Sequence, residues 1–201
     1  MIKGTVFLLL NGEPPKKLPD FSDYEIICAT DGAYQLLKDQ QITPDFISGD
    51  FDSLENIPKD IEVIHTPNQD LTDFDKILQI LFDKGFKSIH VFGASGKEQD
   101  HFLGNLHTAI QWKKRLKLTF FDNYGRYFLA PKTTKIDTEK GKMISLIPFP
   151  EAKNISTTGL QYALKNENLT IGEKIGTRNN AIENKVEITF DTGELYIFIN
   201  H

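Results

Sequence analysis

The stretch PDFISGDFDS, residues 44–53, places Asp50 and Asp52 two positions apart where an apolar run ends. Further aspartates follow the neighbouring apolar runs, namely Asp31 after YEIICAT, Asp70 and Asp73 after IEVIH, and Asp100 after SIHVF. In an open α/β sheet ligands bind beyond the carboxyl ends of the strands, so four successive strands would bring carboxylates to one edge. Taken singly, these aspartates also suit turns, caps or helix N-termini. Their coincidence favours a shared function.

Clustered carboxylates need a compensating positive charge. Two like charges about 4 Å apart repel by about 1 kcal/mol in water and by about 4 kcal/mol at an effective dielectric of ~20. No lysine or arginine lies close in sequence to Asp31, Asp50 or Asp52. A divalent cation is the simplest partner, and oxygen ligands favour Mg²⁺, with Mn²⁺ as the alternative. The sequence therefore predicts that GDFD forms part of a metal-binding edge.

The spacing of GDFD predicts its local geometry. If the chain stays extended, Asp50 and Asp52 point to one side while Phe51 points into the core. Gly49 then allows the backbone to bend at the strand end and removes a Cβ that would block a phosphate.

A second stretch, FGASGKEQDH, is suited to binding phosphate. Gly93 and Gly96 flank two small residues directly after a predicted strand, and backbone amides in such a loop bind anions. The loop is not a Walker A motif, because the glycines are too close together and Lys97 is followed by Glu98. The sequence also lacks GxGxxG. A P-loop enzyme and an ordinary dinucleotide dehydrogenase are therefore disfavoured.

The elements that would position these residues alternate between strands and helices up to about residue 125, which predicts βαβ units with a largely parallel, Rossmann-like sheet. The predicted helices cover residues 33–40, 73–84 and 101–114. Thr72 can cap the start of the second helix and Gly85 can end it. In the third helix, one face carries Leu103, Leu106 and Ile110. The predicted strands are Thr5–Leu10, Glu25–Ala29, Asp45–Ser48, Ile61–His65, Ser88–Phe92 and Leu116–Phe121.

After Asn123 only strand patterns remain, in YFLA, MISLIPF, KVEITF and ELYIFI. Asp191-Thr192-Gly193 has the composition of a hairpin turn joining the last two. We therefore predict an α/β domain at residues 1–125, followed by a small all-β, sandwich-like domain at residues 126–201.

Composition narrows the function classes further. The chain has 201 residues, 39% of them hydrophobic, and a net charge of −5, which supports a packed core and argues against a nucleic-acid binder. The basic run KKRLK at residues 113–117 follows a helical pattern and suits a helix C-terminus. The lone Cys28 is predicted to be a buried small hydrophobe. The apolar stretch Val6–Leu10 is too short for a signal peptide, so we expect a cytoplasmic protein without a membrane partner.

Six stretches in this order resemble the thiamine pyrophosphokinase family, and the resemblance extends over nearly the whole chain. They are DGA (31–33), PDFISGDFDS (44–53), QDLTDFDK (69–76), GASGKEQDHFLGNL (93–106), TTGLQYAL (157–164) and GTRNNA (176–181). The resemblance implies transfer of the pyrophosphoryl group of ATP to the hydroxyl of thiamine, with release of AMP.

The resemblance also implies roles for individual residues. Asp50, Asp52 and Asp73 match the family's magnesium-binding acids, and Asp31 belongs to the same acidic group. Asp50, Asp52, Asp73 and Asp100 would be the catalytic residues, with Asp73 or Asp100 receiving the proton of the thiamine hydroxyl. The ATP-binding set would be Asp31, Gly32, Thr72, Lys76, Gly93, Ser95, Gly96, Lys97 and Arg126. The thiamine-binding set would be Gln69, Asp100, Asn105, Thr177, Arg178 and Asn179.

The family forms homodimers with sites at the subunit interface, so residues 177–179 would act on the partner's site. Two positions depart from the family pattern: Gly96-Lys97-Glu98 replaces the common GGR, and Arg178 stands where a serine is frequent. Three alternatives stay open, namely a magnesium-dependent phosphohydrolase, another pyrophosphokinase, and a non-catalytic regulator that binds thiamine or a nucleotide.

Overall fold

The structure is a computed structural model that describes residues 3–51 and 58–201. The chain divides into two compact units, residues 1–123 and 124–201. None of the helices within the described residues is long and apolar enough to cross a membrane.

The first unit contains a six-stranded parallel sheet with the order β4-β3-β2-β1-β5-β6. The chain adds β2, β3 and β4 on one side of β1, and then returns to place β5 and β6 on its other side. Between β1 and β5 the order therefore reverses, which makes this position the topological switch point of the sheet. The strands are β1 (Thr5–Leu9), β2 (Ile26–Thr30), β3 (Phe46–Gly49), β4 (Glu62–His65), β5 (Ser88–Phe92) and β6 (Lys117–Phe121).

Three helices connect these strands, namely α1 (Asp31–Asp39), α2 (Asp73–Asp83) and α3 (Gln99–Trp112). The predicted signals of α2 are confirmed: the Thr72 side chain accepts a hydrogen bond from the Asp75 amide, and Gly85 adopts φ +90° after the last turn. Of the residues predicted to share one face of α3, Leu106 is buried, whereas Leu103 is 54% exposed. The other buried residues of this helix are Thr108, Ala109 and Trp112.

Several structural predictions for the first unit are confirmed. Cys28 is fully buried, and burial raises the pKa of its thiol well above the ordinary value. Lys113, the first residue of the basic run, caps the C-terminus of α3, and the guanidinium of Arg115 lies 5.0 Å from the ring centre of Trp112.

In the second unit every strand pairing is antiparallel, around a core that includes Ile144, Ile155 and Ile197. The long strand β9 organises this unit: its first part pairs with β13, its last residues pair with β12, and β10 and β11 also pair with it. The strands are β7 (Gly125–Leu129), β8 (Thr133–Asp137), β9 (Met143–Thr158), β10 (Glu167–Thr170), β11 (Gly176–Asn180), β12 (Lys185–Thr189) and β13 (Thr192–Asn200).

The α/β class followed by a β-rich unit is confirmed, but the predicted hairpin is wrong. β12 pairs with β8 and β9, whereas β13 pairs with β7 and β9. The segment at residues 190–192 therefore carries the chain from one side of β9 to the other. The strands β8, β10 and β11, and the extension of β9 beyond Phe149, were also not predicted from the sequence.

Candidate active site

The loops that follow β1 to β5 lie at one edge of the parallel sheet, which we call the carboxyl edge. The first polar or glycine residues after these five strands are Asn11, Asp31, Asp50, Thr66 and Gly93. Asp31 lies at its centre, as the first residue of α1, and is only 6% exposed. Its Oδ1 accepts a hydrogen bond from the Gly32 amide at 2.7 Å, and its Oδ2 accepts one from the Phe51 amide at 2.9 Å. Asp31 therefore joins the start of α1 to the loop after β3.

This contact corrects the predicted geometry of GDFD. Phe51 is buried as predicted, but its φ is +63°, so the chain is not extended here. In this left-handed conformation the Phe51 amide donates to Asp31. The predicted role of Gly49 beside a phosphate stays a prediction, but the structure shows a further one, since a Cβ at this position would lie 2.2 Å from Cγ of Asp31. The missing side chain of Gly49 makes room for the carboxylate of Asp31.

Asp50 lies next to Gln69, whose side-chain amide donates to Oδ2 of Asp50 at 3.1 Å. The structure thus brings together a predicted metal ligand and a predicted thiamine contact. Asp52 lies outside the described residues, so its predicted role as a ligand stays a prediction.

Asp73 belongs to the same edge through a buried lysine. The Nζ of Lys76 lies 2.8 Å from Oδ1 of Asp73 and donates to the Thr66 carbonyl at 3.0 Å; the lysine side chain is 7% exposed and that of Asp73 is 46% exposed. The Thr66 amide in turn donates to the carbonyl of Gly49, the residue before Asp50. A continuous series of bonds therefore connects the first turn of α2 to the GDFD loop.

Groups of the protein itself balance part of the negative charge at the carboxyl edge. Asp31 accepts two backbone N–H groups, and Asp73 is paired with Lys76, a residue remote in sequence from Asp31 and Asp50. Part of the carboxylate charge is thus balanced by the protein. The carboxylate oxygens of Asp50 and Asp73 are nonetheless the hard ligands that suit Mg²⁺. Among the described residues, which leave out Asp52, no three His, Cys, Asp or Glu side chains form a metal-binding group.

The predicted phosphate loop lies at the switch point. Gly93 and Gly96 have φ values of +66° and +75°, a conformation that glycine adopts without strain. The carbonyls of Gly93 and Ser95 accept hydrogen bonds from the amides of Gly12 and Glu13, both at 2.7 Å. The loops after β1 and β5 are therefore joined through their backbones.

The first turns of α3 carry two further predicted residues. The side-chain amide of Asn105 donates to the carbonyl of Ala94 at 2.8 Å and so holds the phosphate loop against the helix. Asp100 is exposed, and its Oδ1 accepts a hydrogen bond from the amide of His101. The His101 ring is also exposed and lies 3.6 Å from a carboxylate oxygen of Glu98.

The remaining predicted residues belong to the second unit. Arg126 is an exposed residue of β7, and Thr177 and Arg178 are exposed residues of β11. Asn179 is buried, and its amide bonds both backbone groups of Tyr162: its Oδ1 accepts from the amide at 3.0 Å and its Nδ2 donates to the carbonyl at 2.8 Å. Asn179 therefore fixes the backbone at the exposed Tyr162.

Two family models match the chain in order, one in each unit. The thiamin pyrophosphokinase catalytic domain matches residues 20–120, about half of the chain, and the vitamin B1 binding domain of thiamin pyrophosphokinase matches residues 133–195. The chain belongs to the thiamine pyrophosphokinase family. The family resemblance found in the sequence motifs is thereby confirmed.

Curated relatives agree with this assignment. The thiamine pyrophosphokinase of Bacillus subtilis is 29% identical over 203 residues, covering 93% of this chain and 94% of the relative. Thiamin pyrophosphokinase 1 of Caenorhabditis elegans is also 29% identical, over 91% of this chain and 84% of the relative.

Solved structures of the family share the fold. The crystal structure of the Bacillus subtilis enzyme superposes with a TM-score of 0.82 at 26% identity, over 97% of this chain and 98% of that one. Yeast thiamin pyrophosphokinase has a TM-score of 0.83 at 15% identity, covering 98% of this chain and 86% of that one, and this likeness concerns the fold alone.

Sequence reasoning missed two contributors to this family site. Asn11 contacts both the start of α1 and the phosphate loop, and Thr66 supplies the backbone carbonyl that binds Lys76. Asn11 follows the run TVFLLL directly, so its position after the first strand was a usable signal. No signal in the sequence marked Thr66, because its contribution comes from its backbone.

Proposed function

We propose that this chain transfers the pyrophosphoryl group of ATP to the hydroxyl of thiamine, producing thiamine diphosphate and AMP. The observation that carries the proposal is the ordered match of both family models, catalytic and vitamin B1 binding, to the two units of one chain. The alignment covers 94% of the Bacillus subtilis thiamine pyrophosphokinase sequence and 98% of the chain in its crystal structure, so the match includes both units of that relative.

In this proposal Asp50, Asp52 and Asp73 hold a divalent cation, for which Mg²⁺ is the best match to carboxylate oxygens. When bound, the metal would supply positive charge to the ATP phosphates. Asp31 supports this edge by accepting a hydrogen bond from the amide of Phe51, the residue directly after Asp50.

The ATP phosphates occupy the carboxyl edge near the switch point. Backbone amides at Gly93, Ser95 and Gly96 offer neutral donors, and Lys97 offers a charge, which together suit a polyphosphate. Lys76 is buried beside Asp73. In this proposal its positive ammonium stabilises the negative charge that develops on the departing AMP. The proposed ATP-binding set also includes Gly32 near the start of α1, Thr72 at the start of α2, and Arg126 of the second unit.

We assign thiamine binding in the first unit to Gln69, Asp100 and Asn105. The side chain of Gln69 donates a hydrogen bond to Asp50, and that of Asn105 donates one to the phosphate loop. Each is therefore held by a group of the proposed metal or ATP site. Thiamine is a cation, and the exposed carboxylate of Asp100 at the start of α3 suits both its charge and the acceptance of its hydroxyl proton. Asp73 is the second candidate acceptor, although one of its oxygens already binds Lys76.

The second unit completes the thiamine site in a homodimer. Thr177 and Arg178 are exposed on β11 and available to a ligand, whereas Asn179 acts by holding the backbone of Tyr162. We propose that these residues reach the site of the partner subunit. Because ATP is the donor, we also propose that the protein works in the cytoplasm.

The test is AMP formation from ATP and Mg²⁺, measured with and without thiamine, on the wild type and on Asp50→Asn. The proposal predicts AMP only when thiamine is present, with an equal amount of thiamine diphosphate, and a loss of more than about a hundredfold in the variant. Asp39→Asn, at the far end of α1, is the matched control and should retain full activity.

Other outcomes would identify the alternatives. Release of phosphate or AMP regardless of thiamine would indicate a hydrolase that uses the same acids. Thiamine binding without AMP would indicate a regulator, and AMP formation that depends on a different acceptor would indicate another pyrophosphokinase.

A further inference from the structure

Asn11, the second residue after β1, makes side-chain and backbone contacts between the loops of the switch point. Its backbone carbonyl accepts a hydrogen bond from Nζ of Lys97 at 2.9 Å, and its side-chain Oδ1 accepts a second from the same ammonium at 3.1 Å. Its Nδ2 lies against Gly32, where an added Cβ would be only 2.6 Å away. Asn11 thus contacts both the start of α1 and the last residue of the phosphate loop GASGK (93–97).

The backbone around Asn11 is fixed independently of its side chain. The Leu10 amide donates to the carbonyl of Phe92, and the Gly12 amide donates to the carbonyl of Gly93. A Cβ at Gly12 would lie 2.2 Å from the oxygen of Gly93, so only glycine permits this approach. Asn11 therefore stands between two anchored residues, and its side chain is presented to Lys97 without further ordering.

Asn11 is the partner that the described residues offer to the ammonium of Lys97. The residue is exposed and has φ +54°, and a lysine side chain has four rotatable carbon–carbon bonds. Its ammonium carries three N–H donors, of which Asn11 binds two in the described part of the chain. One donor and the full positive charge are available to a ligand at the switch point.

We propose that Asn11 is a positioning residue for Lys97, holding its ammonium where it binds a phosphate group of ATP. The proposal rests on the proposed function, since it assigns the anionic ligand at the switch point as the triphosphate. It gives Asn11 a role in nucleotide affinity that acts through Lys97. It also explains how a flexible lysine can bind phosphate in this loop. When two of its N–H donors are bound to the two fixed oxygens of Asn11, the ammonium is held in one position before the ligand arrives.

The test is a double-mutant cycle on the KM for ATP, measured under saturating thiamine, with wild type, Asn11→Ala, Lys97→Ala and the double variant. Loss of the directed charge predicts an increase in KM of about tenfold in Asn11→Ala and about tenfold or more in Lys97→Ala, with kcat changed less than about threefold. In the Lys97→Ala background, Asn11→Ala should change KM by less than about twofold. Asn154→Ala, which removes another exposed side-chain hydrogen bond, should leave KM unchanged.

Asn11→Asp is a second variant for the case in which Asn11→Ala does not fold. It preserves the size of the side chain and the oxygen that accepts the hydrogen bond from Lys97. It should raise the KM for ATP, since a carboxylate beside the phosphate opposes the triphosphate charge. Equal effects of Asn11→Ala with and without Lys97 would overturn the proposal, as would an unchanged KM in Asn11→Asp. Absence of thiamine-dependent AMP in the wild type would instead overturn the proposed function, so the two failures are distinguishable.

Discussion

Replacing Gly49 by alanine tests how the acidic residues of the carboxyl edge are held. An ideal Cβ at this position would lie 2.2 Å from Cγ, 2.3 Å from Oδ2 and 2.6 Å from Oδ1 of Asp31. Ordinary contacts with a methyl group begin near 3.4 Å. The carboxylate would therefore have to move by about 1 Å, which breaks its 2.9 Å hydrogen bond with the Phe51 amide.

Two terms set the size of the effect. Inserting a methyl group into a packed site costs about 1–3 kcal/mol. Losing a hydrogen bond to a charged group, here between buried partners, costs about 1.5–3 kcal/mol. We therefore expect Gly49→Ala to lower the free energy of unfolding of the first unit by about 3–5 kcal/mol. The catalytic rate should also fall, because the released Phe51 no longer directs the flanking aspartates.

The assay is urea unfolding followed by the fluorescence of Trp112, the single tryptophan, which reports on the first unit because it ends α3. Gly104→Ala is the matched control. It lies inside α3, and beyond the helix's own backbone no atom of the described residues lies within 4 Å of an added Cβ, so it should stabilise the unit by up to ~1 kcal/mol. Asp31→Ala removes the obstructing carboxylate, so Gly49→Ala made in that background should cost less than ~1 kcal/mol.

A Gly49→Ala variant as stable as Gly104→Ala would contradict the predicted clash with Asp31. That prediction would also fail if the cost of Gly49→Ala were the same with and without the carboxylate of Asp31, since the effect would then come from backbone conformation alone.

Three further predictions concern local contacts of the first unit. Thr72→Ala removes the acceptor of the Asp75 amide and should cost about 1 kcal/mol in the same urea assay, whereas Thr72→Ser should cost almost nothing; equal losses would contradict the capping role. Asp73→Asn removes the charged partner of the buried Lys76 ammonium and should lower the free energy of unfolding by about 1–3 kcal/mol. In a Lys76→Met background the same substitution should have little further effect, and an equal loss in both backgrounds would contradict the pairing. Burial, with a smaller effect of a neighbouring negative charge, raises the pKa of Tyr24 from 10.0 to about 12, so the folded chain retains a proton that the unfolded chain releases. Stability should fall as the pH rises from 10 to 12, and Tyr24→Phe should flatten that fall; identical pH profiles for the two proteins would contradict it.

The sequence predicted most reliably the elements that depend on local signals. In α2 the cap at Thr72, the helical spacing of apolar residues and the terminal Gly85 all act within a few residues of one another, and the helix was predicted to within one residue. Likewise, the first strands are continuous apolar runs, as expected for a parallel sheet buried on both faces.

Features that depend on remote partners were not predictable in this way. The left-handed Phe51 is held by Asp31, twenty positions earlier, and Lys76 was not expected to balance the charge of the carboxyl edge. In β9, Pro148 and Pro150 interrupt the usual strand pattern because they lack N–H donors, yet the strand continues to Thr158. The crossing from β12 to β13 resembled a hairpin because turn composition does not reveal which strand each neighbour pairs with.

The central claim is best tested by following the β-phosphorus of ATP. The wild type should convert ATP labelled at the β position, with thiamine and Mg²⁺, into labelled thiamine diphosphate and unlabelled AMP in a ratio of one to one. Label recovered in ADP or in inorganic phosphate, with no labelled thiamine diphosphate, would contradict pyrophosphoryl transfer to thiamine.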